Sequence, residues 1–340
     1  MTHKNGSFQA LSTLPHLSED QMEQAITMIM DGDVEEVNIA SFLTTLAKRG
    51  ETIDEITGAA KALRQKVRAF TPAPHAIDCC GTGGDGVGTY NISTAVAFVC
   101  ASYGIAMAKH GNRAASSKSG AADVLEALGV NINAFAEVQN SALTEIGFCF
   151  LMAPLYHDAM RHVASVRKSL GFKTIFNLLG PLSNPAGTKR QLIGVFDSKW
   201  LTPMAQTLDR LGTTDAWLVH GHDGLDEITQ TDKTDLVILK NGAITKHVLS
   251  PASFGLPECK AEDLKGGDAQ HNAIALLDLL NGTKSAYRDI VVANSAAIMA
   301  LHDGKDPDTL AHYARIAESL IDSGKALDIL NRTKEKLGSL

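Results

Sequence analysis

Two hydrophobic patterns follow one another along the chain and predict two kinds of domain. In the first part of the chain, apolar residues recur at helical spacing. Ser18 with Gln21, and Thr52 with Glu55, form the capping-box pattern that starts a helix. A third amphipathic helix is predicted between these two. Three helices without an intervening strand predict a small helical domain.

After a linker that contains two prolines, the pattern changes to short apolar runs of strand length separated by helical segments. We predict strands at 76–80, 105–108, 148–152, 191–196 and 216–220. Strands that alternate with helices favour an α/β fold with a mostly parallel sheet covered by helices. Two further runs, 234–240 and 243–249, flank an Asn-Gly pair and predict an antiparallel hairpin.

Composition narrows the class of protein. The chain has 31 Lys and Arg against 38 Asp and Glu, a net charge of −7, which disfavours binding to nucleic acid or to an anionic membrane. No apolar run approaches membrane-spanning length, and the first residues lack the apolar core of a secretion signal. The five cysteines form no CxxC motif, which is typical of reduced thiols. We therefore expect a cytoplasmic protein.

The clearest chemical signal is a glycine-rich stretch between the first predicted strand and the next helix. Its glycines are Gly81, Gly83, Gly84, Gly86 and Gly88. We predict that Ser93 or Thr94 caps the helix that follows. Glycine lets backbone N–H groups turn inward, and the helix N-terminus adds partial positive charge, so this arrangement suits a phosphate.

The type of phosphate ligand stays open at this point. The spacing of Gly81, Gly83 and Gly86 formally matches the dinucleotide fingerprint, but no acidic residue lies between Gly86 and Ala122 to bind a ribose. No Gly-Lys-Ser/Thr closes the loop, so the P-loop pattern also fails. A Rossmann dehydrogenase is therefore disfavoured, and a purely structural tight turn remains an alternative.

Further along the chain, two tracts contain bases but no acid, residues 86–122 and 159–196. The first includes a second glycine-rich stretch, 109–120, directly after a predicted strand. In a parallel sheet both glycine-rich loops leave at the same edge, which suits a ligand with phosphates at two places. For Arg161 and Lys168, a solvated helix face is the simpler interpretation.

Asp226 and Glu227 are adjacent carboxylates in a loop that follows the strand predicted at 216–220. Neighbouring carboxylates repel unless a cation lies between them, and Mg²⁺ prefers one or two carboxylates together with substrate phosphates. The alternative is an ordinary solvated acidic loop. His220 and His222 lack a third ligand at suitable spacing, which argues against zinc.

The stretch 166–185 combines a basic helix end with an apolar turn bounded by prolines. The planar guanidinium of Arg167 is suited to hold a carboxylate, with Phe172, Phe176 or Pro181 as an apolar wall. Ordinary core packing is the alternative for the apolar residues.

Together these stretches resemble the anthranilate phosphoribosyltransferases. The matching motifs are GTGGDGVGTYNIST, KHGNRAASSKSG, VRKSLGFKTIFNLLGPLSNP and HGHDGLDEIT, with weaker matches in LKGGDAQHNA and YRDIVVANSAA. The resemblance covers almost the whole chain. It implies a nucleoside phosphorylase-like fold, in which a helical domain (1–72, with a return segment near 165–186) packs beside an α/β domain (73–164 and 187–340).

The resemblance also implies an activity. Members transfer the phosphoribosyl group of 5-phosphoribosyl 1-pyrophosphate (PRPP) to anthranilate in a Mg²⁺-dependent step of tryptophan biosynthesis, the second from chorismate. They are usually homodimers through the helical domain. We therefore expect PRPP and anthranilate as substrates, two Mg²⁺ ions per subunit, and no nucleic-acid or membrane partner.

Site residues follow by matching position. Those implied for PRPP are Gly81, Gly84, Asp85, Thr89, Asn91, Ile92, Ser93, Thr94, Lys109 and Ser117. Those implied for anthranilate are Gly81, Asn112 and Arg167, and those implied for Mg²⁺ are Ser93, Asp226 and Glu227. No residue is assigned as a catalytic acid or base.

Two positions depart from the family pattern. Ala121 stands where many members have a serine that contacts the sugar phosphate, so one hydroxyl contact is lost. Lys173 replaces a common arginine, and we expect this to change only a neighbouring contact.

Two alternatives share the implied fold. A pyrimidine nucleoside phosphorylase would also use a glycine loop for phosphate but does not need the acidic pair. A non-enzymatic nucleic-acid-binding relative should be net basic and lack Asp226 and Glu227, and this chain meets neither condition.

Overall fold

A central sheet organises the computed structural model, which describes residues 2–114 and 118–338 of the chain. The strands are β1 (Ile77–Gly81), β2 (Met107–Gly111), β3 (Phe148–Met152), β4 (Arg190–Gly194), β5 (Asp215–Gly221), β6 (Thr234–Lys240) and β7 (Ala243–Leu249). Within those residues the strand order is β3-β2-β1-β4-β5-β6-β7. The strands β1 to β5 pair in parallel, and β6 and β7 continue the sheet antiparallel. The predicted mostly parallel sheet is confirmed.

The helices precede, connect and cover these strands. They are α1 (Thr2–Ser12), α2 (Glu19–Met30), α3 (Glu36–Arg49), α4 (Ile53–Gln65), α5 (Ile92–Ser102), α6 (Ala121–Ala127), α7 (Ala136–Ile146), α8 (Ala153–Tyr156), α9 (Arg161–Leu170), α10 (Phe176–Leu179), α11 (Leu201–Arg210), α12 (Ala269–Leu280), α13 (Ala286–His302), α14 (Leu310–Asp322) and α15 (Lys325–Leu337). Short 3₁₀ turns lie at Asp158–Met160, Ser198–Trp200, Pro251–Phe254, Ala261–Leu264 and Pro307–Thr309. In the described part of the chain, no helix has both the length and the apolar character needed to cross a membrane.

Local sequence signals placed several elements correctly. Both predicted capping boxes are present at the starts of α2 and α4. The hairpin between β6 and β7 turns at Asn241 and Gly242, whose positive φ angles of 48° and 84° fit the Asn-Gly signal.

Two elements differ from the prediction. The structure has a further helix, α1, before the three predicted ones; its Phe8 is buried and packs edge-on against Phe42, with ring centroids 5.3 Å apart. Its weak periodicity, interrupted by Gly6, gave no clear helical signal. The strand predicted at 105–108 is shifted, since β2 continues through Lys109 and pairs along β3 to Gly111.

Two apolar clusters lie on opposite faces of the sheet. Leu192 of β4 packs into a cluster with α5 and α13, whereas its neighbour Ile193 packs into a cluster with α2 and α4. The second cluster also holds Val163 of α9 and Phe176 of α10. Residues from the 165–186 segment thus share an apolar core with the N-terminal helices. The domain bounds stay a prediction.

The helices α2 and α4 approach so closely that Gly58 of α4 has no room for a side chain. A Cβ atom there would overlap the carbonyl oxygen of Glu19 and lie 2.9 Å from the backbone nitrogen of Glu23. Because both neighbours are backbone atoms of α2, neither can move alone.

We predict that Gly58→Ala destabilises the protein. Alanine is the better helix former by about 0.5–1 kcal/mol, but overpacking of a closed interior costs about 1–3 kcal/mol, so the clash wins. Denaturant titration should show a free energy of unfolding lower by about 1 kcal/mol or more, which is the cost of the clash less the gain in helix propensity. The matched control is Gly180→Ala, where the added methyl would meet no atom within 4 Å. Equal stability of the two variants would contradict this account of the α2 and α4 contact.

Candidate active site

Three loops meet at one edge of the sheet because they follow parallel strands. The glycine loop (residues 82–91) follows β1, the basic loop (112–120) follows β2, and the acidic loop (222–233) follows β5. Since β1, β2 and β5 run in the same direction, their carboxyl ends share this edge. Ligands of open α/β sheets bind at such an edge. The expected position of the loops is confirmed.

A pair of glycines lets the acidic loop reach the glycine loop. Gly81 of β1 and Gly194 of β4 are register partners. A Cβ atom at Gly81 would overlap the carboxylate of Asp226, and one at Gly194 would overlap its carbonyl oxygen. The backbone N–H of Gly83, a residue with φ of 69°, then donates to Oδ2 of Asp226 at 2.7 Å. Sequence reasoning missed Gly194, although a lone glycine at the end of a strand indicates a close approach.

The acidic loop brings two carboxylates into a poorly solvated position. Burial raises the pKa of Asp226 well above its usual range, and repulsion from Asp85 and Glu227 adds to this effect. Burial also raises the pKa of Glu227 to about 7, although Lys109 and hydrogen bonding to Ser93 oppose the shift. Three carboxyl groups therefore crowd one point, which is unfavourable unless a proton or a cation is present.

This arrangement fits Mg²⁺ held jointly by protein and substrate. Within the described residues, no group of three His, Cys, Asp or Glu side chains is placed to hold a metal ion alone. Mg²⁺ commonly takes only one or two protein carboxylates and completes its shell with water and substrate phosphates. The pair formed by Asp226 and Glu227, with the hydroxyl of Ser93 nearby, supplies that kind of partial ligand set.

Lys109 lies beneath the glycine loop as a buried cation. Its ammonium donates to the carbonyl oxygen of Cys79 at 2.7 Å and to Oγ of Ser93 at 3.0 Å. The side chain is only 1% exposed, and its positive charge opposes the raised pKa of Glu227. Lys109 therefore links β2, the start of α5 and the acidic loop.

The predicted helix cap after the glycine loop is wrong. The helix α5 begins at Ile92, so Asn91 is the N-cap residue and Ser93 and Thr94 lie within the first turn. Ile92 is buried in the apolar core, and because this burial stabilises Ile92 in the helix, α5 begins before the capping pattern of Ser93 and Thr94 predicts. The hydroxyl of Thr94 is buried and has no hydrogen-bond partner among the residues that the structure describes.

The basic loop carries less unpaired positive charge than its sequence suggests. Arg113 pairs with Asp123 at 3.0 Å and hydrogen-bonds Glu126 at 2.8 Å, two acids that lie just beyond the acid-free tract. Asn112 is exposed at the start of this loop, and its backbone oxygen accepts from the N–H of Ala122 at 3.2 Å. Ser117, the predicted PRPP contact of this loop, lies outside the described residues.

The segment between α9 and α10 extends from the helical core to the glycine loop. A Cβ atom on Gly84 would lie 3.3 Å from Cε of Lys173. The ammonium of Lys173 lies 3.8 Å from the ring centroid of Phe196, whose N–H donates to Thr82 at 2.9 Å. Lys173 thus lies beside the glycine loop, and the effect of this lysine in place of arginine stays a prediction.

Arg167 of α9 is suited to receive an anion. Its guanidinium is half-buried and lies 5.7 Å from the ring centroid of Phe176, and burial lowers its pKa. In the described ranges, no carboxylate lies within ion-pair distance of this group. Lys168, the next residue, is exposed, as its interpretation as a solvated side chain predicts.

Two buried histidines near the site escaped the sequence analysis. The rings of His110 and His157 lie 5.2 Å apart, and burial lowers their pKa values to about 3 and about 4. Both rings are therefore neutral at physiological pH. Nε2 of His110 has no hydrogen-bond partner in the described part of the chain. A lone histidine such as His157 carries no sequence pattern that distinguishes it from a core residue.

Comparison with known proteins agrees with this geometry. Residues 8–67 match the helical bundle domain of a glycosyl transferase family, and residues 73–327 match its a/b domain. The anthranilate phosphoribosyltransferase of Paramagnetospirillum magneticum is 52% identical over 93% of this chain and 91% of its own length. That of Rhodospirillum rubrum is 48% identical over 98% and 96%.

Solved structures give the same result. The anthranilate phosphoribosyltransferase from Thermus thermophilus is similar with a TM-score of 0.90 and 40% identity, covering 97% of this chain and 99% of that one. The enzyme from Saccharomyces cerevisiae in complex with PRPP and Mg has a TM-score of 0.88 and 28% identity, covering 100% and 99%. The chain is therefore a member of the anthranilate phosphoribosyltransferase family.

Proposed function

We propose that the protein transfers the phosphoribosyl group of PRPP to the amine of anthranilate. The products are N-(5-phosphoribosyl)anthranilate and pyrophosphate, and the reaction is the second step of tryptophan biosynthesis from chorismate. The observation that carries the proposal is the convergence of the acidic loop on the glycine loop, through the 2.7 Å hydrogen bond from Gly83 to Asp226. Backbone donors and carboxylates at one point suit a diphosphate that is bound together with a divalent cation.

The donor end of the site is proposed to lie in the glycine loop and the first turn of α5. The residues assigned to PRPP are Gly81, Gly84, Asp85, Thr89, Asn91, Ile92, Ser93, Thr94, Lys109 and Ser117. Support comes from the unpartnered hydroxyl of Thr94 and from the buried ammonium of Lys109 behind Ser93. The N-terminus of α5 adds partial positive charge at this place.

We assign Ser93, Asp226 and Glu227 to two Mg²⁺ ions. The raised pKa values of both carboxyl groups support this assignment, because a cation would relieve the repulsion that raises them. When bound, Mg²⁺ neutralises phosphate charge and so makes pyrophosphate a better leaving group.

The acceptor end is proposed to involve Arg167, Asn112 and Gly81. The half-buried guanidinium of Arg167, which has no carboxylate partner in the described residues, is suited to the carboxylate of anthranilate. Phe176 lies beneath that guanidinium as part of the apolar core and supports its position. The neutral ring of His110 adds a further group that can hydrogen-bond without adding charge.

The proposed chemistry needs charge stabilisation more than proton transfer. The bond between C1 of the ribose and the pyrophosphate oxygen breaks, and its electron pair leaves with pyrophosphate. The lone pair of the anthranilate nitrogen forms the new C1–N bond, and the amine then loses a proton. Backbone N–H groups of the glycine loop face the charge that develops on the leaving group. C1 becomes electron-poor as the bond breaks, so a weak amine can attack it without a strong base.

The proposal includes a homodimer through the helical domain and a cytoplasmic location, both of which rest on the family resemblance.

The direct test is the fluorescence of anthranilate after mixing with the protein and PRPP. We expect a steady loss of signal that requires Mg²⁺ and stops when a chelator is added. The proposal would be overturned if the protein left anthranilate unchanged and instead cleaved thymidine or uridine in the presence of phosphate. It would also be overturned if the protein left anthranilate unchanged and bound single-stranded DNA in a shift assay at physiological salt.

We predict that Glu227→Gln lowers kcat by about 100-fold while the fold is retained. In the wild type, the half-saturating concentration of Mg²⁺ should rise as the pH falls through about 7, because protons compete with the metal for Glu227. This pH dependence should weaken in the variant. Initial rates across a Mg²⁺ titration at pH 6, 7 and 8 measure both effects.

The free energy of unfolding without Mg²⁺ shows whether Glu227→Gln retains the fold. A raised carboxyl pKa costs stability as the pH rises through it, so the neutral glutamine should not lower the free energy of unfolding at pH 8. Asp232→Asn is the control variant, since Asp232 is an exposed acid of the same loop. If both variants kept wild-type rates at limiting Mg²⁺, the metal assignment would be wrong.

For the acceptor, we predict that Arg167→Lys raises the KM for anthranilate about tenfold or more and leaves the KM for PRPP nearly unchanged. Lysine keeps the charge but loses the planar fork that grips a carboxylate with two hydrogen bonds. Steady-state kinetics with each substrate varied in turn separates the two constants. Lys168→Ala, one residue along the same helix, should leave both constants unchanged. If Arg167→Lys raised the KM for both substrates equally, the assignment of Arg167 to the acceptor site would be wrong.

A further inference from the structure

A segment outside the three loops is attached to the glycine loop. This strap (residues 264–272) connects a 3₁₀ turn to α12. The N–H of Tyr90 donates to the carbonyl oxygen of Leu264 at 3.2 Å, and the N–H of Gly266 donates to that of Gly88 at 3.0 Å. A Cβ atom on Gly266 would lie 2.5 Å from a carbonyl oxygen of the glycine loop, so only glycine permits this approach. The strap therefore fixes the end of the glycine loop.

The last residue of the strap holds the side chain of Asn91. Asn272 is 1% exposed, and its Nδ2 donates to Oδ1 of Asn91 at 2.9 Å. Oδ1 of Asn272 accepts from the N–H of Gly267 at 2.8 Å, which fixes the orientation of its amide. Nδ2 of Asn91 in turn donates to the carbonyl oxygen of Ser119 at 3.2 Å. These bonds determine which end of the Asn91 amide faces the strap and which faces the basic loop.

The orientation of Asn91 matters because this residue is the N-cap of α5. An N-cap asparagine ordinarily accepts a hydrogen bond from a backbone N–H of the first turn, here that of Ser93 or Thr94. Asn91 makes no such side-chain bond, and its amide oxygen instead accepts from Asn272 at 2.9 Å and from the hydroxyl of Ser119 at 3.4 Å. The first turn of α5 is thus not capped by its own N-cap side chain.

The backbone of Asn91 is fixed independently of Asn272. The hydroxyl of Tyr287 donates to the carbonyl oxygen of Asn91 at 3.2 Å. The ring of Tyr287 also stacks on Tyr90, with centroids 4.4 Å apart. If the side-chain bond from Asn272 is lost, the Asn91 amide keeps only its two longer bonds to Ser119, at 3.2 and 3.4 Å, while its backbone stays in place.

We infer that Asn272 is a positioning residue for PRPP, which acts by holding the amide oxygen of Asn91 away from the first turn of α5. Without Asn272, only the longer bonds to Ser119 restrain the amide, and its oxygen turns to cap α5 and competes with the phosphate oxygens of PRPP for the N–H of Thr94. The inference rests on the proposed function, since it assumes that PRPP binds at this helix end.

The test is Asn272→Ala in the full-length protein, with both substrates varied. We expect the KM for PRPP to rise about tenfold, with kcat within about threefold of wild type and the KM for anthranilate unchanged. If Asn272→Ala does not fold, Asn272→Leu keeps the branching of the side chain at Cγ, lacks the donor and carries the same expectation. An unchanged KM for PRPP in a folded variant would overturn the inference.

A double-mutant cycle tests whether the effect passes through Asn91. In the Asn91→Ala background, Asn272→Ala should change the KM for PRPP no further, because no amide oxygen remains to be released. Additive effects of the two substitutions would overturn the inference.

Leu276→Ala is the matched control for a merely structural role. Leu276 is a buried apolar residue one turn further along α12. Its truncation should lower the melting temperature and leave the KM for PRPP unchanged, and the same pattern in Asn272→Ala would overturn the inference. A wild-type protein that does not consume PRPP and anthranilate would instead refute the proposed function.

Discussion

The candidate site depends on one hydrogen bond, from the N–H of Gly83 to the carboxylate of Asp226. It joins a loop after β1 to a loop after β5, although β4 lies between these strands. The connection is possible because Gly81 and Gly194, side by side in the sheet, leave space for the acidic loop to cross over β4. The electrostatic character of the site therefore follows from a steric feature of the sheet edge.

Charge at this edge is balanced by few cations. Asp78, Asp85, Asp226 and Glu227 crowd the ends of β1 and β5, and burial or repulsion raises the pKa of Asp78, Asp226 and Glu227. Lys109 is the buried ammonium that opposes these shifts at Asp78 and Glu227. The basic residue Arg113 does not help, because it is paired with Asp123 and Glu126 of α6. Buried carboxyl groups crowded in this way stay ionised beside a phosphate only when a cation is also bound, and otherwise take up protons.

Much of the fold and part of the site could be predicted from the sequence, where short-range rules apply. Capping boxes and the Asn-Gly turn depend on residues within a few positions of one another, and they were correct. The start of α5 was misplaced because burial of Ile92 outweighed the local preference of Ser93 and Thr94. Gly194 and His157 were missed because their importance arises from contacts with residues far away in the chain. The roles of individual residues toward the substrates remain predictions.

The shared core of the N-terminal helices and the later α9 and α10 segment has a consequence for synthesis of the protein. Helices α1 to α4 emerge first from the ribosome, but Val163, Phe176 and Leu182, which belong to the same apolar cluster, follow more than 90 residues later. During translation the early helices therefore expose part of their apolar surface to water. Chaperones can bind this exposed surface, and it can also lead to aggregation. The first domain in sequence therefore cannot finish folding until the chain has been made well into the α/β domain.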